Sequence, residues 1–239
     1  MWYDIIELKL MIYITGDTHG EIDIGKLNSK NFPQGNSLTK DDYMIILGDF
    51  GFIWKNESDK TEEYWMKWFK NKPWTTLFID GNHECFTRLN NYTVSEWHGG
   101  NVHKINGSVI HLMRGQVYNI DNKSIFTFGG AESHDKEYRL DGISWWKEEI
   151  PNYKEVQEAL NNLEKVNNKV DIILTHTCTH TFSYELVHEV SKDPTETILD
   201  EFYKIINYKS WYFGHWHTDK KFDEKHFCLY DKILPLTNT

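Results

Sequence analysis

Five short apolar runs recur along the chain, and each breaks off into a polar cluster. MIYIT (11–15) ends in Gly16-Asp17-Thr18-His19-Gly20, and YMIIL (43–47) ends in Gly48-Asp49. TTLFID (75–80) ends in Gly81-Asn82-His83-Glu84, DIILT (171–175) in His176, and WYF (211–213) in Gly214-His215-Trp216-His217. Short apolar runs with such punctuation predict buried strands. Between several of them the apolar period lengthens to that of a helix. SDKTEEYWMKWFKN (58–71) opens with a capping-box-like pair, Asp59 and Glu62, and sets Trp65, Trp68 and Phe69 on one face. YKEVQEALNNLEKV (153–166) carries Val156, Leu160, Leu163 and Val166 as an amphipathic stripe, and PTETILDEFYKII (194–206) starts at Pro194 and repeats Ile198, Phe202 and Ile205. Residues 102–130 alternate apolar and polar positions around Asn106-Gly107, Arg114-Gly115 and Asp121-Asn122, which predicts successive hairpin strands. The whole reads as mixed α/β. With no repeat and no Pro/Gly-rich linker, one domain over 11–239 is expected. Residues 1–10 form an extension without a chemical role, because Met11 opens the first run.

In open α/β sheets, ligands gather beyond the carboxyl ends of the strands. Five strand ends are therefore expected to deliver Asp17, His19, Asp49, Asn82, His83, His176, His215 and His217 to one rim. In D-x-H and H-x-H on a strand-like exit, the period of two points both side chains the same way. Imidazoles, carboxylates and an amide oxygen suit divalent Mn, Fe, Ni or Zn. Any one of these motifs is also an ordinary turn. Their joint placement after apolar runs favours a metal site.

Composition narrows the partners. The 239 residues carry a formal net charge of −10, and the three arginines, Arg88, Arg114 and Arg139, form no basic block. That disfavours a duplex nucleic acid partner. Three widely spaced cysteines make neither a disulfide framework nor a CxxC zinc motif, which fits a reducing cytoplasm. No stretch has the ~18 consecutive apolar residues of a membrane span, and the first ten residues lack the marks of a signal peptide. Nothing in the pattern sets the oligomeric state.

The series D-x-H, G-D, G-N-H-E, H and G-H-x-H resembles the calcineurin-like metallophosphoesterase family over residues 11–217. The resemblance implies a two-sheet αββα-type sandwich of mixed β-sheets flanked by helices. It also implies two divalent metal ions, manganese before iron, nickel or zinc. Carried over by motif, Asp17, His19, Asp49 and His217 would hold one ion. Asn82, His176, His215 and a bridging Asp49 would hold the other, and His83 would be a catalytic residue that touches neither. These roles agree with general chemistry: two close cations need a shared anion, and a hydroxide between them can attack phosphorus in line. The leaving alkoxide needs a proton, which a histidine can supply near neutral pH. The expected substrate is a small phosphomonoester or phosphodiester, with nucleotides among the candidates.

The second motif departs from the protein-phosphatase branch, which resembles GDxVDRG. Here it reads GDFGFIW, so Phe52 replaces the carboxylate expected to pair with the catalytic histidine, and the partner of His83 is left open. GGAESHDKEYRLDGISWWKEE (129–149) breaks the strand–helix rhythm. Its 131–149 portion reads either as a lid, with Arg139 gripping a phosphate and Trp145 stacking on a base, or as a loop whose tryptophans fill core space. Arg88 is a further candidate for phosphate, or else part of a solvated helix face. His180 reads as an outer or surface histidine. Two other functions stay in view: a metal-dependent nuclease, against which the acidic charge counts, and a non-catalytic scaffold on the same fold, against which the intact histidines count.

Overall fold

The apolar runs become strands because both faces of each are covered, which explains why they are continuously apolar rather than alternating. In the computed structural model, which describes residues 10–236, the first half contains β1 (Ile12–Thr15), β2 (Tyr43–Leu47), α1 (Lys60–Lys70), β3 (Thr75–Ile79), α2 (Phe86–Leu89), β4 (Val94–Trp97), β5 (Gly100–Asn106) and β6 (Val109–Leu112). The second half contains β7 (Gln116–Ile120), β8 (Lys123–Phe128), α3 (Tyr153–Lys165), β9 (Ile172–Thr175), α4 (His180–Val187), α5 (Pro194–Ile205), β10 (Ser210–Phe213), β11 (Lys220–Lys221), β12 (His226–Cys228) and β13 (Leu234–Pro235). The expected extension over 1–10 lies, Leu10 apart, outside the described residues.

One sheet runs β13-β1-β2-β3-β6-β5-β4 and the other β11-β12-β10-β9-β8-β7. Strands β1, β2, β3 and β6 are parallel, as are β8, β9, β10 and β12, with antiparallel strands at the edges. Ile14, Ile45 and Leu77 of the first sheet share a core with Ile125, Ile172 and Leu174 of the second. The outer face of the first sheet packs Met44, Ile46 and Phe78 with Phe69 of α1. That of the second packs Phe126 and Trp211 with Leu163 of α3 and Phe202 of α5. This is the two-sheet sandwich of mixed sheets flanked by helices. Among the described residues, no helix is long and apolar enough to cross a membrane.

Local chemistry sets the helix ends. Asp59 caps α1 by accepting from the Glu62 N–H at 2.9 Å, but the Glu62 carboxylate turns to Arg88 instead of completing the box. The complete capping box is on α3, between Asn152 and Glu155.

The hairpin expectation holds at two of its three turns. β5 pairs with β6 across Asn106-Gly107, and β7 with β8 across Asp121 and Asn122, both in the left-handed region. At Arg114-Gly115 there is no hairpin. β6 stays with β3 in the first sheet while β7 opens the second, so the chain crosses between sheets. The crossing is fixed by a buried charge. Arg114 Nε donates to Asp80 Oδ2 at 2.7 Å, and its other nitrogens reach Glu155 and the Glu149 carbonyl. Burial alone would raise the Asp80 pKa, but Arg114 and His111 hold it far below the usual carboxylate range. Asp80 immediately follows β3, so this bridge steadies the strand end that carries Asn82 and His83.

Arg114→Met should strand the Asp80 charge and cost about 3–5 kcal/mol, read from urea unfolding of the metal-free protein. A loss under about 1 kcal/mol, the worth of a surface pair, would show that the bridge does not anchor the crossing.

Candidate metal centre

Two aspartates organise the rim. Asp49, just past β2, accepts the backbone N–H groups of Asn82 and His83 on Oδ1, each at 2.8 Å. Position 81 must be glycine for this contact, since a Cβ there would lie 2.1 Å from the same oxygen. Asp17 makes the equivalent contact between sheets: its Oδ1 accepts from the His215 N–H at 3.0 Å, and a Cβ on Gly214 would come within 2.3 Å. The second oxygens face imidazoles. Asp49 Oδ2 is 3.1 Å from His19 Nε2, and Asp17 Oδ2 is 3.4 Å from His217 Nε2. His176 donates from Nδ1 to the Leu47 carbonyl at 2.8 Å, and its Nε2 lies 3.1 Å from Asn82 Oδ1 and 3.4 Å from Asp49 Oδ1. The His215 ring lies 4.9 Å from that of His176.

His19, Asp49, His215 and His217 have φ values of 43°, 48°, 68° and 46°. Left-handed backbone at a non-glycine residue costs on the order of 1–3 kcal/mol and persists where the surroundings enforce it.

The donor set fits a cation. Asp17 Oδ2 is buried and, among the described residues, makes no well-formed hydrogen bond; its one close imidazole, His217, stands off at 3.4 Å, a costly arrangement for a carboxylate oxygen unless a positive charge uses it. Asp17, His19 and His217 bring ligand atoms within 4.8 Å of one another, as do Asp17, Asp49 and His176, and also His19, Asp49 and His83. These three groups overlap at Asp17, His19 and Asp49, so they form one continuous site. A sequence model described as calcineurin-like phosphoesterase matches residues 10–219. The chain belongs to the calcineurin-like phosphoesterase family. No curated protein matches it. Calcineurin-like phosphoesterases are metal-dependent, in keeping with the Asp/His groups at this rim.

Charge is shared unevenly among the histidines. Burial alone would lower the pKa of His176, but the Asp49 and Asp17 carboxylates outweigh it and hold the ring at about 10. His19 is held at about 9 against its burial, chiefly by Asp49. His215 goes the other way, pushed down to about 3 by burial and by the charge on His176. Despite burial, Asp49 is held well below the ordinary carboxylate range by His176 and His19.

Supporting residues, all but Glu84 outside the motifs, surround this calcineurin-like rim. Asp23 accepts from His19 Nδ1 at 2.7 Å and from the Tyr230 hydroxyl at 2.9 Å. Tyr230, beyond the matched residues, also stacks on His217 with centroids 4.9 Å apart. Fully buried Glu84 accepts the Phe50 N–H at 2.7 Å and so holds the loop of Asp49. Phe52 is core, as its character demands. Beside His19, whose ring centroid lies 5.2 Å away, His83 has as neighbours Trp54, stacked at 5.4 Å, and Arg139, whose Nη2 donates to His83 Nε2 at 3.2 Å.

The 131–149 segment borders the rim through Arg139 and through His134, whose ring lies 5.6 Å from that of His215. Trp145 does not present a free indole N–H, which donates to Glu149 at 2.8 Å. Arg88 is already engaged: both of its terminal nitrogens donate to Glu62 at 2.7 Å, so its fork is filled. His180 pairs with Asp200 at 2.8 Å, away from the site.

The raised histidines give the metal-free protein a pH signature. Their folded pKa values of about 9 and 10 lie above the ordinary 6.5. Their pairing therefore stabilises fully below about pH 6.5 and is lost as pH rises through the folded values. Urea midpoints in chelator should fall between about pH 6.5 and 8, the start of that window. A level or rising midpoint there would contradict the paired imidazolium rings.

Proposed function

We propose that this calcineurin-like phosphoesterase is a binuclear, divalent-metal hydrolase of small phosphomonoesters or phosphodiesters, nucleotides among them. The observation that carries the reading is the overlap of the ligand groups at Asp49 and Asp17, with an unsatisfied buried oxygen on Asp17. In this reading Asp17, His19, Asp49 and His217 hold one ion, and Asn82, His176, His215 and the shared Asp49 hold the other. Such ions supply Lewis acidity at the phosphoryl oxygens and lower the pKa of bound water, and manganese suits the oxygen and imidazole donors.

The remaining work falls to this chain's own side chains. His83 faces the rim but spends its Nε2 on Arg139, an obligate donor, so the resting ring is neutral. Arg139 is also tied through Nε to Asp135 at 2.7 Å, and its Nη1 reaches the Ser144 carbonyl only at 3.4 Å, so an anion would compete for terminal nitrogens held by two long contacts. A phosphate that draws Arg139 away would free Nε2 to take a proton from solvent water, and the ring would then deliver that proton to the leaving oxygen. Trp54 and His19 line a cavity of about 280 Å³ beside His83, room for the alcohol portion of a small ester. The net charge of −10 weighs against a nuclease, and the assembled donors weigh against a scaffold. Three buried free cysteines fit a cytoplasmic setting.

A hydrolysis screen with Mn²⁺ across nucleotides, cyclic nucleotides and aryl phosphates tests the activity; no turnover on any ester by metal-loaded protein would refute it. His83→Asn should keep both ions yet lose ~10²–10⁴-fold on nucleoside or alkyl esters, and much less on p-nitrophenyl esters, whose leaving group needs no proton. Equal losses on both classes would remove the general-acid role. Arg139→Ala should raise KM more than it lowers kcat, as for a contact made equally in ground and transition states. An unchanged KM would release Arg139 from phosphate binding.

A further inference from the structure

The amide of Asn82 has two unlike ends, and only its oxygen can serve a cation. Nothing in Asn82 itself decides which end faces inward. The structure supplies a chain of hydrogen bonds that does. Asn82 Nδ2 donates to Ser133 Oγ at 3.2 Å. Ser133 Oγ donates to Glu149 Oε2 at 2.7 Å. Glu149 Oε1 accepts from the Ser133 N–H at 2.7 Å and from Trp145 Nε1 at 2.8 Å. Exposure of Asn82, Ser133 and Glu149 is 5%, 2% and 0%, so water does not compete for these bonds.

The direction of the chain follows from its far end. A backbone N–H and an indole N–H can only donate, so Oε1 must accept from both. A carboxylate accepts on its other oxygen too, which claims the single hydroxyl hydrogen of Ser133. The serine oxygen is then purely an acceptor toward Asn82. It selects Nδ2 and turns Oδ1 to the rim, 3.1 Å from His176 Nε2. We propose that Glu149, acting through Ser133, is a positioning residue that sets the orientation of the Asn82 amide and thereby the affinity of the second of the two ions. The inference rests on the binuclear reading above. It gives the 131–149 segment a task at the metal side of the rim as well as any task over substrate.

Glu149→Gln is nearly isosteric but reverses the chain. Its amide oxygen must serve the two fixed N–H donors, so its NH₂ donates to Ser133 Oγ, and the serine hydrogen turns toward residue 82. Asn82 can meet that hydrogen only by presenting Oδ1 to it and its NH₂ to the cation site. The Asn82→Asp variant places two oxygens there and meets both demands. The test is calorimetric titration of metal-free protein with Mn²⁺, with bound metal counted after desalting.

The wild type should take two ions. Glu149→Gln should keep the first and bind the second ~10–100-fold more weakly, with thermal stability close to wild type. Glu149→Gln combined with Asn82→Asp should bind the second ion more tightly than Asn82→Asp alone. Simple loss of a nearby negative charge predicts the opposite order. Two ions bound normally by Glu149→Gln, equal weakening of both, or a double variant weaker than Asn82→Asp alone would each overturn the inference. If Glu149→Gln does not fold, Ser133→Ala decides: selective loss of the second ion supports the relay, and two normally bound ions overturn it. A wild type that takes fewer than two ions overturns the binuclear reading itself, and this inference with it.

Discussion

A buried carboxylate must satisfy two oxygens, and the way Asp17 and Asp49 divide theirs is the constraint on which the rest of the site depends. In each, one oxygen is fixed by peptide N–H groups of another strand end, and the other faces an imidazole. The peptide contacts hold the anions without consuming the charge that a cation needs. They also require bare backbone at positions 81 and 214, and they join strand ends that are far apart in sequence. The left-handed backbone at four rim residues follows from the same demand: the chain bends sharply to keep each group within reach.

Around that frame the support comes from different directions. Asp23 and Tyr230 brace His19 and His217, Glu84 braces the loop after β2, and Ser133 with Glu149 braces Asn82. None of these groups is expected to touch substrate. Their effect is to remove alternatives: a rotated imidazole, a flipped amide or a relaxed loop. Outer partners of this kind tune a metal site as strongly as many direct ligands do.

The strand ends were legible in the sequence because two signals coincide there: an apolar run that must be covered, and a polar cluster of one chemical kind that recurs after each of five such runs. The helices of α1, α3 and α5 were legible from their stripes. The crossing at Arg114-Gly115 was not. An arginine before a glycine looks like a hairpin turn until Asp80 is known to lie opposite. Arg88 looked available for the same reason, since its partner Glu62 lies 26 positions away. Asp23, Tyr230, Ser133 and Glu149 carry no motif at all. Each matters only through a tertiary hydrogen bond, and no local period encodes one. The complete capping box at Asn152 and Glu155 is the exception, a local signal written in the sequence just ahead of the apolar stripe of α3.

The contact between Asp17 and the His215 amide spans 198 positions. A ribosome adding ~5–20 residues per second needs on the order of 10–40 seconds to make the chain between them. Until His215 is made, Asp17 Oδ1 lacks its peptide donor, and the first half of the rim lacks His215 and His217. Docking of β10 buries the aspartate, sets its free oxygen and delivers His215 and His217 in one event. Closure of the rim around Asp17 therefore waits until His215 has been made.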